Sequence, residues 1–370
     1  MADIFSEAYD NIEQNKKRVE EGRANSILWP SLPKLSNVIP GIEKARYYNV
    51  TANSKVGKTQ LTDFLFVYEP LKWMMQNPNS GIDLKIFYFS LEVSERMKAL
   101  AAMSHYLYNN FNVIRSPKEL LSLFKDRTVT DELLTLVREN KPFYDHFNKH
   151  VKVITNIRNP FGMYEYVRDY MQKNGKTVKK PGLYKGEPIQ VFDSYTPNNP
   201  NEIVLVIFDH VGLITTEQKK SLHQSLSDLS SIYCLRLRDR YGVSPVFVQQ
   251  QSAESEKQQF TMRGDSIINK VKPTPDGLGD NKLTQRDVDL MFGLFNPARH
   301  GFKTYGGYDM DKFGDHYRQL SILLNRSGSG NKSIDLFFHG AVNFFKELPH
   351  PDSSDMQKVY NKLDNLKYYV

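Results

Sequence analysis

Residues 49–66, NVTANSKVGKTQLTDFLF, decide how the rest of this 370-residue chain is read. The apolar run RYYNVTA at 46–52 enters a polar turn ending in Gly57-Lys58-Thr59, and an amphipathic segment follows. Strand, turn and helix in that order make an anion site, because backbone N–H groups at a helix N-terminus curl around phosphate oxygens. In the pattern GxxxxGK[ST] the lysine reaches the β- and γ-phosphates and the hydroxyl holds Mg2+. Ala52 stands where the first glycine belongs, Asn53, Ser54, Lys55 and Val56 form the turn, and Gly57, Lys58 and Thr59 complete it. A small residue serves at the first position provided its φ stays negative. A GK[ST] triplet alone is common in polar turns; the flanking strand and helix make this one specific.

Working outward, LKIFYFSLEV at 84–93 and EIVLVIFDHVGLI at 202–214 are apolar runs of buried-strand length that end in carboxylates, Glu92 and Asp209. An acid ending such a strand beside a phosphate loop is suited to orienting the Mg2+ shell, the role expected of Asp209. Glu92 is the candidate base for the attacking water, and SPVFVQQQ at 244–251 offers Gln251 at a third strand end. Ligands in open α/β sheets bind off the carboxyl ends of the strands, so Glu92, Asp209 and Gln251 are expected to face one crevice. The bland alternatives are a turn-capping aspartate and a solvated glutamate.

Strands alternating with helical segments predict an α/β fold: a mostly parallel twisted sheet flanked by helices, closed by an antiparallel hairpin in SIDLFFHGAVNFFKEL at 333–348. The expected organisation is an amphipathic linker helix within 1–26, one domain over 27–350, and a charged helical tail over 351–370. Residues 172–201, with Lys173, Lys176, Lys179 and Lys180 among many turn formers, are expected to be a solvated basic loop inserted in that domain.

The net charge of +7 mildly favours a polyanionic partner. A single cysteine, Cys234, excludes a disulfide framework and any multi-cysteine zinc site, and the nine histidines show no HExxH spacing. The N-terminus lacks a secretory pattern, and no apolar run approaches the roughly 20 residues needed to cross a bilayer. A cytoplasmic protein without a membrane partner is expected.

These residues together resemble the motor domain of DnaB-type replicative DNA helicases, a branch of the RecA-like P-loop ATPases. In that family the phosphate loop usually opens with Ala and ends in GKT or GKS, as ANSKVGKT does. FSLEVS is similar to its Ser-Leu-Glu signature, pointing to Glu92 as the catalytic glutamate. IFDHVGLI resembles its Walker B strand, with His210 in place of the usual aromatic, read as a packing or hydrogen-bonding substitute. YGVSPVFVQQQ looks like the strand carrying a γ-phosphate-sensing glutamine, best aligned at Gln251 with Gln250 as the fallback. Gln285-Arg286-Asp287-Val288-Asp289 is similar to the segment that re-enters the sheet, and Arg326 falls on the arginine-finger position. The lysine that often precedes the finger by two is Leu324 here.

The resemblance implies ATP and Mg2+ as cofactors and an arginine that reaches the neighbouring subunit's nucleotide, hence a homo-oligomer, most often a hexamer. It implies single-stranded DNA threading the ring, a primase or helicase loader as partner, and, for so lean a chain, a phage-encoded version. The helix at residues 4–20 is expected to pack on the adjacent subunit. Candidate DNA contacts are Lys219 and Lys220 after the Walker B strand, and Arg263, Lys270 and Lys272 in the polar stretch 252–284. Two other functions remain open on the sequence: a RecA- or RadA-like recombinase filament, and a nucleotide-gated loader or scaffold with weak turnover.

Overall fold

The parallel strands at the centre of the sheet are buried on both faces, as strands covered by helices on each side must be. A computed structural model describes residues 4–254, 257 and 271–366. Its strands are β1 Tyr48–Ala52, β2 Asp83–Ser90, β3 Val151–Ile154, β4 Gly175–Tyr184, β5 Glu187–Pro197, β6 Glu202–Asp209 and β7 Ser244–Gln250. They continue with β8 Leu290–Phe295, β9 Thr304–Tyr305, β10 Tyr308–Asp309, β11 Tyr317–Asn325, β12 Lys332–His339 and β13 Phe344–Glu347. One nine-stranded sheet runs β13-β12-β11-β8-β1-β7-β6-β2-β3. From β8 to β3 the pairs are parallel, while β11, β12 and β13 add on antiparallel. The expected fold class and closing hairpin are thus what the chain forms.

Side chains alternate between two cores. Tyr48, Val50, Val246 and Val248 pack under Leu61 and Phe64 of the helical stretch that leaves the loop. Tyr47 and Phe247 face the other way, onto Met163, Val167 and Leu237. The helical stretch Lys58–Gln76 opens into a wider turn over Phe64–Tyr68, just ahead of Pro70, whose nitrogen has no proton to give a helical bond.

Two segments depart from expectation. Residues 175–197 are a long two-stranded ribbon, β4 paired antiparallel with β5, instead of an irregular loop. Thr177, Val178, Ile189, Val191, Phe192 and Tyr195 supply the β-branched and aromatic residues that favour a strand, and Lys185 and Gly186 turn the tip with positive φ of 52° and 87°. The base of the ribbon is anchored by Phe192 and Tyr195, whose rings meet Tyr241 at 5.8 and 5.1 Å. At the C-terminus, helix Met356–Leu366 buries Met356, Leu363 and Leu366 in a third core with Phe313, Tyr317 and Phe337, so it belongs to the body and is no appendage.

The N-terminal helix, Ile4–Glu20, leaves Tyr9 and Ile12 exposed. Arg18 ties its last turn to the body through the Ala24 carbonyl and the side chains of Asn25 and Asn201.

Candidate functional site

β1 ends at Ala52, which keeps a negative φ, and the chain curls through Lys55 and Gly57 at φ 57° and 105° before Lys58 opens the helix. Gly57 is favoured there on two counts, conformation first and space second. Its φ lies in the left-handed region, and a Cβ would sit 3.3 Å from both the Phe338 ring and the Gln60 side chain. Two arginines hold the loop from the antiparallel end of the sheet. Buried Arg318 donates through Nε to the Val56 carbonyl at 2.7 Å, with its guanidinium 4.4 Å over the Phe338 ring, and Arg299 donates to the Ser54 carbonyl.

Thr59 Oγ1 donates to Asp209 Oδ1 at 3.1 Å, so the hydroxyl and the carboxylate predicted from separate motifs do meet. They are hard oxygen donors of the kind Mg2+ takes, side by side at the loop, and the donor set fits that ion. Asp209 is buried, and its other oxygen accepts from Tyr88 Oη at 2.7 Å. Ser90, the last residue of β2, lies in register with Asp209, which brings the exposed Glu92 two residues beyond the same strand end. His210 accepts from the Gly212 N–H through Nδ1, as expected of a hydrogen-bonding substitute. Burial, then the Lys58 charge, lowers its pKa and favours the neutral ring.

Gln251 is placed differently from the expectation. Its amide is buried beneath the loop, donating to Thr51 Oγ1 at 2.9 Å and the Thr274 carbonyl at 3.1 Å while accepting from the Thr274 N–H. Gln250, in register with Ala52, shares the face of Val246 and Val248 and therefore lies on the side covered by the loop helix. Three consecutive glutamines left this choice to strand register, which the sequence does not display.

Arg326 lies at the other end of the sheet. It follows Asn325, which pairs with Leu290 at the start of β8, whereas Ala52 pairs with Leu294 near the end of β8. The length of β1, about 16 Å at about 3.3 Å per residue, separates that level from the loop. Its guanidinium donates to the Arg286 carbonyl, and its backbone N–H to the Asp289 carbonyl at 2.9 Å. The re-entry segment is architectural: Asp287 accepts from Ser230 and Ser231 at 2.6 Å, and Asp289 accepts from the Tyr47 N–H and from Arg238. Leu324 is packed against the second core.

Among the expected DNA contacts, Lys219 is exposed with φ 60°. Lys220 is engaged by Glu217 and Asp228 at 2.7 and 2.6 Å, and those bonds raise its pKa. Lys272 is half-buried against the Tyr305 ring at 5.2 Å, with burial lowering its pKa, so it is part of the body and not of an open loop. Arg263 and Lys270 lie outside the described residues.

Sequence reasoning missed Asp63, Tyr88 and Lys98, which form a buried polar cluster against Asp209, and missed the two loop-bracing arginines. The available signal was a charge on the apolar face of a helical segment, at Asp63 and again at Lys98. Beside Thr59 and Gln60, a recess of about 360 Å3 is bounded by Val93, Met97, Ala101 and Val342.

No protein-family model matches the sequence, and no curated protein matches it. Solved structures do match. The ATPase domain of G40P superposes with a TM-score of 0.64 at 14% identity, covering 94% of this chain and 100% of that one. A DnaB-like replicative helicase, described together with its interactions with primase, gives the same TM-score and identity over 94% of this chain and 68% of its own. The chain has the fold of a DnaB-like helicase ATPase domain.

Proposed function

We propose that this chain is the motor of a ring-forming, ATP-dependent replicative DNA helicase, which translocates on single-stranded DNA and unwinds duplex. The observation that carries this is a division of the candidate machinery. Thr59, Asp209 and Glu92 gather at the carboxyl end of the parallel strands, while Arg326 sits beyond the opposite end. An arginine there is out of reach of its own subunit's nucleotide and available to a neighbour's, so turnover needs subunits arranged head to tail.

In this reading the loop N–H groups and Lys58 hold the phosphates. Thr59 and Asp209 would hold Mg2+, which when bound neutralises charge on the β- and γ-phosphates. Glu92 orients the attacking water and accepts its proton. Gln250, in place of Gln251, reports the state of the γ-phosphate, and Arg326 from the adjacent subunit meets the charge that develops there. The recess beside Thr59 and Gln60 receives the nucleobase, with Met97 and Ala101 as apolar walls. Lys219, with Arg263 and Lys270 of the polar stretch, tracks DNA phosphates without reading sequence. The exposed Tyr9 and Ile12 of the N-terminal helix supply a contact to the adjacent subunit. A hexamer, a primase or loader partner and a cytoplasmic, phage-type setting belong to the same proposal.

The test is fork unwinding with ATP, run beside electron micrographs of the protein on DNA and a single-stranded-DNA-stimulated ATPase assay. Rings that unwind the fork are the expected outcome. Brisk hydrolysis on extended filaments without unwinding would favour a recombinase, and nucleotide binding without DNA-stimulated turnover would favour a loader or scaffold.

A further inference from the structure

Beneath the loop, the carboxylate of Asp209 belongs to a buried chain of polar groups that phosphate binding does not require. Lys98 Nζ, from helix Glu95–Phe111, lies 2.8 and 3.0 Å from the two oxygens of Asp63. It also donates to Tyr88 Oη at 2.6 Å, and that hydroxyl in turn donates to Asp209 Oδ2 at 2.7 Å. The direct distance from Lys98 Nζ to Asp209 Oδ2 is 3.5 Å. All four side chains are buried, and the ammonium also lies 4.0 Å over the Tyr88 ring. Burial, reinforced by the nearby carboxylates, pushes the Tyr88 hydroxyl well up, so it stays protonated and remains a donor. Burial likewise pushes the Asp63 carboxyl up, against the pull of Lys98.

Asp209 is therefore gripped at both oxygens, Oδ1 by Thr59 and Oδ2 by Tyr88. A carboxylate beside a metal is oriented, and its donor strength set, by such outer partners. Tyr88 has a second effect: its oxygen takes a hydrogen bond from Lys98, whose ammonium already stands in ion-pair reach of Asp209 Oδ2 at 3.5 Å and would otherwise give that bond to Oδ2. We propose that Tyr88 and Lys98 are positioning residues that set the affinity of the Asp209–Thr59 site for the divalent cation of the bound nucleotide. This rests on Asp209 being the metal-side acid.

The two members act with opposite sign. Removing the Tyr88 hydroxyl frees the carboxylate to turn and lets Lys98 close on Oδ2, where its charge competes with the metal. Removing Lys98 together with Asp63 leaves Tyr88 on Asp209 and takes the competing cation away. Replacing Lys98 and Asp63 together avoids stranding either of them as an unpaired buried charge, which is what makes single substitutions of buried pairs so damaging, and leaves Asp209 held by Thr59 and Tyr88.

The experiment measures Mn2+ binding by electron paramagnetic resonance in the presence of ADP, with ADP affinity in EDTA as the metal-free control. Tyr88→Phe is expected to weaken Mn2+ binding by about 10-fold, the lower end of outer-partner effects on metal affinity, with metal-free ADP binding unchanged. The double variant Asp63→Leu/Lys98→Met is expected to tighten it. Wild-type Mn2+ affinity in Tyr88→Phe, or shifts of the same sign in both variants, overturns the proposal; Tyr88→Phe alone decides the matter if the double variant does not fold. Thr59→Ala and Asp209→Asn separate the layers. If neither weakens Mn2+ binding, the metal site itself has been misplaced; if both do and Tyr88→Phe does not, only the positioning role falls.

Discussion

Two buried histidines make the recess wall sensitive to acid. His339, at the end of β12, is buried with both ring nitrogens unbonded among the described residues, its ring 5.3 Å from Tyr108 and 5.6 Å from His316. Burial, then the nearby His316 and Lys362, lowers its pKa to about 4. His105 is stacked 4.3 Å from Tyr68 with Nδ1 2.9 Å from the Asn343 carbonyl, and burial lowers it to about 4 as well. The unfolded chain takes up these protons near pH 6.5, while the folded chain refuses them until about pH 4, so stability falls as pH drops through that window. At pH 5 each withheld proton amounts to about 2 kcal/mol, and near pH 4 to about 3 kcal/mol. Two such sites together take a sizeable part of the roughly 5–15 kcal/mol that holds a domain folded. His339→Phe keeps a ring in the same apolar slot and removes the titration. In urea unfolding at pH 7.5 and pH 5, this variant should lose about 2 kcal/mol less on acidification than the parent chain. An equal loss in both proteins would refute the assignment, whatever the absolute stabilities. The effect reaches the site because Gly340 accepts from Gln60 at 2.6 Å, next to the residues that line the recess.

Three further outcomes are expected. Glu92→Gln should retain ATP binding and lose about 10²–10⁴ in turnover, the range of a general base; unaltered turnover in a single-turnover assay would remove Glu92 from the chemistry. Arg326→Ala and Lys58→Ala should each abolish most hydrolysis, the finger by about 10³–10⁵, and mixed assemblies of the two should recover part of it. Recovery requires a site whose loop comes from one variant and whose arginine comes from the other, so its absence in co-assembled rings would argue against action in trans. Gln251→Ala should destabilise the fold by about 1–3 kcal/mol through the donors and acceptors left beneath the loop. Gln250→Ala should leave stability alone and lower DNA-stimulated turnover, and the reverse pattern would restore Gln251 as the sensor.

Legibility in the sequence followed how local the information is. An apolar run ended by an acid carries both its burial and its direction in a few residues, and Asp209 and Thr59 accordingly lie together. Gln251 failed on parity: with glutamine at 249, 250 and 251, only the pairing of Ala52 with Gln250 says which side chain faces the loop helix. The ribbon was concealed by composition, since its lysines, prolines and glycines resemble a solvated loop. Its alternation and its Tyr184-Lys185-Gly186 turn were the better evidence. Asp63 and Lys98 were visible as misplaced charges, but nothing local says that residues 35 apart neutralise each other. Lys220 is held by Glu217, three residues before it, and by Asp228, eight after it, and only the turn of the chain brings the second acid within reach.

The loop that opens on Ala52 and the finger position beside Leu324 are linked by a single strand, β11. β11 begins beside the loop, where Arg318 grips the Val56 carbonyl, and it delivers Arg326 at the far end. The eight residue steps between these arginines span about 26 Å at about 3.3 Å each. In the proposed ring, this strand would join one subunit's phosphate loop to the next subunit's γ-phosphate. A lysine in place of Leu324 would add a second charge near that far end, yet Leu324 packs against the second core and helps to seat the strand. Leu324→Lys is thus expected to weaken the seating of β11, and with it the support that Arg318 gives the loop, before it strengthens any contact in trans. The lone finger is accordingly consistent with a strand whose packing serves both ends, and the loop that opens on alanine draws part of its shape from side chains more than 240 positions later in the chain.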